Sequence, residues 1–256
     1  MLMRDRLSQP WPHAKTVDPV EIARFAALAE EWWDPNGKLR SMHRFNPVRR
    51  EYIRDRIARH FCREREDESA LAGLRILDVG CGAGLLCEPL AELSTNVVGI
   101  DATAKNIEIA RWHAVQSSLD IDYRHCLAEH MLDTGETFDV VLNTEVVEHV
   151  ADPEQLMKEC SALMKPGGIM IIATINRTLR SFILAIIGAE YILKWLPKGT
   201  HDWRRFLRPD EVRCMIEAHD LDFSELTGVS FNPVTSRWRL SGDTSVNYML
   251  LAAKRS

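Results

Sequence analysis

From Leu74 onward, short apolar or β-branched runs alternate with amphipathic segments. Residues 75–79, 96–100, 121–125, 138–143 and 168–174 have the character of strands, while 85–93, 104–117 and 153–164 carry helical spacing. Strands that alternate with helices predict a parallel sheet covered on both faces. The last third differs. Arg208-Pro-Asp-Glu opens a helix to about His219, and two extended segments near 223–231 and 246–253 follow with no helix between them, which predicts an antiparallel end to the sheet. Ahead of the alternation, Asp18-Pro-Val-Glu21 reads as a capping box with Pro at the first helical position. Ile22, Phe25, Ala26 and Leu28 continue it as a helix toward Trp32 and Gly37. A second helix is predicted from Pro47 to about Phe61.

Composition narrows this picture to a packed α/β protein. Of 256 residues, 46% are hydrophobic and 27% charged, enough to bury a core, so global disorder is a poor reading. Against the 32 basic residues stand 37 acidic ones, a net charge of −5, and the basic residues are scattered. That balance disfavours a nucleic-acid partner or any strongly electrostatic function. The six cysteines make no CxxC pair, so reduced thiols in a cytoplasmic protein are the expectation. The first residues lack an apolar run and cleavage site of the secretory kind. The longest apolar stretch, FILAIIGAEYILKWL at 182–196, is too short to span a bilayer and is interrupted by Glu190 and Lys194.

The sharpest local signal is Ile76-Leu-Asp-Val-Gly80-Cys-Gly82-Ala-Gly84-Leu-Leu, a strand that runs through glycines into a helix. Such a turn needs unusual backbone angles and lets a ligand approach the main chain. A dinucleotide fingerprint would place its third glycine where Leu85 stands, which weakens a nicotinamide oxidoreductase reading. About 20 residues on, the second strand ends in Gly99-Ile-Asp101, an acid placed to accept from a ribose diol at the carboxyl ends of the strands. A nucleoside fits that crevice; the plain alternative makes the glycines a tight turn and Asp101 a helix cap.

With these residues the chain resembles the class I S-adenosylmethionine-dependent methyltransferases, over roughly 74–175. The Phe138-Asp-Val-Val141 strand and the Lys165-Pro-Gly-Gly168 turn belong to the likeness. It implies a doubly wound, mostly parallel seven-stranded sheet (Rossmann-like) with an antiparallel C-terminal strand. It also implies that Gly80 and Gly82 lie against the methionyl and ribose parts of the cofactor, that Asp101 holds the ribose hydroxyls, that Thr144 faces the cofactor, and that 127–130 flanks the adenine.

After the fourth strand comes Glu145-Val-Val-Glu148-His149. On a helical turn this spacing puts both carboxylates and the imidazole on one face. Such a set can bind Mg²⁺ or another divalent cation. Alternatively, His149 acts alone as a general base, or the segment serves packing. The E-x-x-E-H set resembles the metal motif of small-RNA 2′-O-methyltransferases and of ubiquinone-pathway O-methyltransferases.

Segments outside the common core carry a closer likeness. They are Glu31-Trp32-Trp33-Asp-Pro-Asn-Gly37, His43-Arg44-Phe-Asn46-Pro47-Val-Arg49, the stretch 187–202, Gly228-Val-Ser-Phe-Asn232-Pro233 and 243–249. They resemble the bacterial ubiquinone-biosynthesis O-methyltransferases across almost the whole chain. That resemblance implies methylation of ring hydroxyls on polyprenylated catechol or hydroquinone intermediates, with Arg49 near the methionine carboxylate. It also implies one domain over 1–256: a helical cover (1–70), a cofactor core (71–175), a lid insertion (176–207) and a closing part of the sheet (208–256). In the lid, an apolar run flanked by Arg177, Arg180, Lys194, Lys198, Arg204 and Arg205, with Trp195 and Trp203 at its edge, suits contact with anionic lipid. A cytoplasmic protein held peripherally on the inner membrane is the resulting expectation, with other enzymes of the pathway as candidate partners. The nearest competitor is a ring C-methyltransferase of quinone biosynthesis.

Overall fold

The computed structural model describes residues 11, 14–64, 67, 69–183, 202–232, 235 and 237–255. Its centre is β1 (Arg75–Val79), hydrogen-bonded in parallel to β2 (Asn96–Asp101) on one side and to β4 (Phe138–Thr144) on the other. Outside β2 lies β3 (Asp122–His125), and outside β4 lies β5 (Met164–Ile175), both parallel. The chain then adds β8 (Asn247–Lys254), β6 (Leu221–Asn232) and β7 (Arg237–Ser241), all antiparallel, giving the order β3-β2-β1-β4-β5-β8-β6-β7.

The sheet therefore has eight strands rather than the expected seven. The additional one, β7, is five residues long, with Trp238 set between Arg237 and Arg239. It carries no apolar run, so only pairing with β6 makes it a strand.

Alternate residues of the central strands face opposite layers. Ile76, Val140 and Ile171 pack with Tyr52 and Ile57 of α2 (Arg40–His60) and Ile107 of α4 (Ala104–Gln116). Leu77, Val141 and Ile172 pack with Met157 and Cys160 of α6 (Pro153–Ala162) and Ile216 of α8 (Pro209–Glu217). Each such fully buried aliphatic side chain contributes about 1.5–3 kcal/mol. Short helices α3 (Cys87–Ala91), α5 (Ala128–Leu132) and α7 (Leu179–Ser181) complete the connections. All six cysteines are free.

At the N-terminal side, α1 (Pro19–Leu28) is capped by Asp18, whose carboxylate accepts from Val20 N. The predicted reciprocal bond from Glu21 is not made; its side chain turns to Arg24 and His149 instead. Helix α2 begins at Arg40, earlier than expected, and carries Pro47 inside it. The backbone bond that Pro47 removes is outweighed by burial of Phe45, Asn46, Arg49 and Tyr52 on one face.

The order of strands places the site. From β1 the chain winds outward through β2 and β3, then returns to β4 on the other side of β1. Connections at the carboxyl ends of β1 and β4 therefore diverge and leave a crevice at this switch point.

Candidate active site

A cavity of about 650 Å³ opens at that crevice, the size of a site for a small molecule. Its walls include Gly80, Asp101 and Thr144 from the sheet, and Glu21, Arg49, Glu145 and His149 from the segments laid over it.

Gly80 and Gly82 both adopt positive φ, +71° and +56°. The N–H groups of Gly80 and Cys81 both donate to Ile100 O, at 2.8 and 3.0 Å, so the turn is tied to the end of β2. A Cβ on Gly80 would meet Val146 Cγ2 at 2.4 Å, and one on Gly82 would meet the Trp32 ring at 2.4 Å. The space against Gly82 is thus filled by a side chain from the N-terminal cover. Trp32 is fixed there by Nε1, which donates to Asn106 Oδ1 at 3.1 Å. Leu85, in place of a third glycine, packs with Trp32, Leu28 and Ala83.

Asp101 is a buried organiser of this corner. Its Oδ2 accepts from Gly82 N at 3.0 Å, and its Oδ1 from Thr103 N at 2.7 Å and Asn106 Nδ2 at 3.2 Å. Burial nevertheless pushes its carboxyl pKa up. Nearby Asp78 is 2% exposed, and burial raises it to about 7, against the opposing effect of the Cys87 thiol that donates to Oδ2. Its Oδ1 is buried without a partner.

Thr144 closes β4, and the next residue breaks the pattern. Glu145 has φ +58°, so the chain leaves the strand in a left-handed conformation, and residues 145–150 form turns rather than a helix. The common face expected for Glu145, Glu148 and His149 is not built, because it presupposed helical φ at its first residue. Glu145 Oε1 instead accepts from Arg49 Nη2 at 2.5 Å. His149 Nδ1 lies 2.9 Å from Glu21 Oε2, and its ring meets Phe25 edge-on at 5.1 Å. Glu148 is 3% exposed, and neither carboxylate oxygen has a hydrogen-bond partner. Among the described residues no group of three or more His, Cys, Asp or Glu side chains is arranged to hold a metal ion. As ligands of one cation, then, Glu145, Glu148 and His149 do not fit this arrangement.

Burial works against a charged His149. The hydrogen bond that the imidazole donates to Glu21 and the fields of Glu148, Glu21 and Glu145 outweigh it and hold the imidazole pKa above its ordinary value. Arg49 is 1% exposed, and burial lowers its pKa while Glu145, Glu148 and Asp78 offset that. Its guanidinium also donates to Asn46 and lies over the Phe45 ring at 4.2 Å, and its Nε is buried without a partner. This burial takes Arg49 off the solvated side of α2.

Two residues, Glu21 in the cavity wall and Trp11 beside it, escaped the sequence reading. Glu21 was absorbed into a capping motif. Trp11 donates from Nε1 to Ala102 O at 3.1 Å and packs beside His125 and His130, near the segment expected to flank an adenine. No local pattern marks either one, since each acts on residues about 90 or more positions away.

Of the lid insertion, residues 184–201 lie outside the described part, and with them Glu190, Lys194, Trp195, Lys198 and His201. At its described ends Leu179, Phe182 and Ile183 are exposed. Arg177, Arg180, Arg204 and Arg205 each contact a carboxylate, on Glu211, Asp243, Asp202 and Asp18 respectively. No described helix is long and apolar enough to cross a membrane.

A methyltransferase-domain family model matches residues 42–223. The chain is 54% identical to a protein of Chelativorans sp. (strain BNC1) named ubiquinone biosynthesis O-methyltransferase, over 96% of this chain and 97% of that one. It is 53% identical to the protein of the same name from Parvibaculum lavamentivorans, over 93% and 94%. Among solved structures, the fold resembles the plantazolicin methyltransferase at TM-score 0.60 and 15% identity, covering 93% and 98% of the two chains. It also resembles magnesium protoporphyrin IX methyltransferase from Synechocystis with bound SAH at TM-score 0.58 and 18% identity, covering 85% of each.

Proposed function

The chain belongs to the family of methyltransferases whose curated members are named ubiquinone biosynthesis O-methyltransferase, and from that premise we propose that it transfers a methyl group from S-adenosylmethionine to a ring hydroxyl of a polyprenylated catechol or hydroquinone. One observation carries the reading. A single cavity is shared by the glycine turn, Asp101 and Thr144 on the sheet and by Arg49, Glu145 and His149 beside an apolar wall.

The residues present fit the cofactor. Gly80 would bring backbone rather than side chain to it, Asp101 would accept from the ribose hydroxyls, and Thr144 would face it, while Gly82, covered by Trp32 rather than open to the cavity as expected, would act through its N–H on Asp101. Two buried groups without partners, Asp78 Oδ1 and Arg49 Nε, suit the ammonium and carboxylate of its methionine end. When bound, S-adenosylmethionine supplies an electrophilic methyl group on a sulfonium. The protein's task is then to hold the hydroxyl oxygen in line with that methyl and to receive the proton. His149, lining the cavity with Glu21 on its Nδ1, takes that proton in its neutral form.

A divalent cation is a narrower reading. To collect Glu145 and His149 it would have to displace Arg49 and Glu21. Contact with anionic lipid through 176–207 is proposed on the exposed Leu179, Phe182 and Ile183 and on the chemistry of a prenyl tail that stays in the bilayer. The single domain with boundaries near 70, 175 and 207 belongs to the same reading.

The decisive experiment incubates the protein with methyl-labelled S-adenosylmethionine and a short-chain prenyl catechol, with and without EDTA, and locates the label by mass spectrometry. Label on a ring oxygen is expected; label on a ring carbon, or none, rejects the O-methyltransfer reading. Activity that survives rigorous chelation drops the cation alone. Flotation with anionic liposomes tests the lid, and equal recovery with and without liposomes rejects lipid contact.

A further inference from the structure

The cavity wall continues away from Arg49 along a run of aromatic rings that the cofactor residues do not use. Arg49 sits over Phe45 on α2, Phe45 stacks with Trp238 of β7 at 5.0 Å between centroids and 27° between planes, and Trp238 meets Phe231 of β6 at 5.2 Å. All three rings line the cavity, together with Val229. Within this apolar stretch the Trp238 indole Nε1 is buried and makes no hydrogen bond. A buried donor without an acceptor is costly, and native structures keep few of them without a reason. We propose that Trp238 determines acceptor recognition: its ring, with Phe45 and Phe231, forms the wall against which the methyl acceptor's ring lies, and a ring oxygen of the acceptor satisfies its N–H.

The inference rests on the acceptor reading above and adds the residues that select it. Three features favour an oxygenated aromatic ring over a purely aliphatic or a charged ligand. The wall consists of π faces, which suit offset stacking. Apart from Ser230, whose hydroxyl is bonded to that of Ser241, its polar contribution is the Trp238 donor, which suits a ring oxygen. It joins the reaction centre directly, since Phe45 and Arg49 lie one turn apart on α2 and Arg49 holds Glu145. Trp238 and Phe231, on β7 and β6, take no part in the hydrogen bonds that organise the glycine turn and Asp101, and the wall meets the proposed cofactor residues only where Phe45 lies under Arg49.

The test uses the whole chain loaded with S-adenosylhomocysteine and measures binding of a prenyl catechol by calorimetry for wild type, Trp238→Ala and Trp238→Phe. Cofactor affinity is measured in parallel. Loss of the stacking wall in Trp238→Ala is expected to weaken acceptor binding about tenfold or more. Trp238→Phe keeps the wall but loses the donor, and is expected to fall between, at about threefold to tenfold. Cofactor affinity should stay within about twofold for both. Unchanged acceptor binding in both variants, or a parallel loss of cofactor affinity as expected from a merely structural Trp238, overturns the proposal. Turnover by the wild type is scored separately. A wild type that binds the catechol without methylating it refutes the function while leaving the wall intact, whereas a wild type that neither binds nor methylates it refutes both.

Discussion

The two halves of the cavity are built by different means. The half proposed to hold the cofactor is made largely of backbone: glycines at positive φ, and N–H groups of Gly80 and Cys81 that converge on one carbonyl. Its key side chain, Asp101, bonds to groups within about 20 residues of itself. The half proposed for the acceptor is made of side chains brought from far apart in the chain, including Glu21 on His149 and Phe45 on Trp238, and the pair of Arg49 with Glu145 stands where the two halves meet. A site that holds one invariant ligand can rely on main-chain geometry. A site that must recognise a particular ring, and take a proton from it, needs side-chain chemistry that the fold does not supply by itself.

If that contrast is right, substitutions should divide accordingly. The largest effect is expected where the two halves meet. Arg49→Met removes the cation that faces Glu145, Glu148 and Asp78 and leaves buried carboxylates uncompensated, at a cost of about 3–5 kcal/mol in urea unfolding. A cost below about 1 kcal/mol would show that the buried pair organises nothing. In the cofactor half, Asp101→Asn should weaken S-adenosylmethionine binding about 10- to 100-fold by calorimetry, because a charge-assisted acceptor is lost from the ribose and from Gly82. Because burial raises the Asp101 pKa, wild-type affinity should also fall on acidification at a pH above the usual carboxylate range.

Gly82→Ala is expected to cost about 1–2 kcal/mol from its positive φ alone. The new Cβ also presses on Trp32, so near-ultraviolet circular dichroism of that ring should change with it. The most gradual effect is spread over pH and belongs to Asp78. Its folded pKa is raised, from 3.8 to about 7. The stability it confers is therefore fully present below 3.8, declines as pH rises, and is gone above about 7. The stability of Asp78→Asn relative to wild type should rise between pH 4 and 7, by at most about 1.4 kcal/mol per unit, and level off above. A flat difference across that range would mean that Asp78 is charged in the folded protein.

Much of this was legible beforehand, and the unread parts share a cause. The central strands and the helices between them declared themselves because apolar periodicity is local, and their boundaries lie close to those expected. The glycine turn and Asp101 were legible because backbone constraints write themselves into residue type. Strand β7 was missed, since its five residues become a strand only beside β6. The E-x-x-E-H segment was read on helical spacing, and a single positive φ at Glu145 turned its side chains to different partners.

The sequence alone determined the alternation of strands and helices up to β5, the glycine turn, and the family through segments outside the common core. Tertiary structure alone decided that Glu21 meets His149, that Arg49 is buried on Glu145, and that Phe45, Phe231 and Trp238 share a wall. The physical reason is range. Periodicity, turns and caps act over a few residues and leave a record in order and spacing. A buried ion pair or ring stack depends on where the fold delivers two residues about 100 or more positions apart, and neighbouring sequence does not encode that.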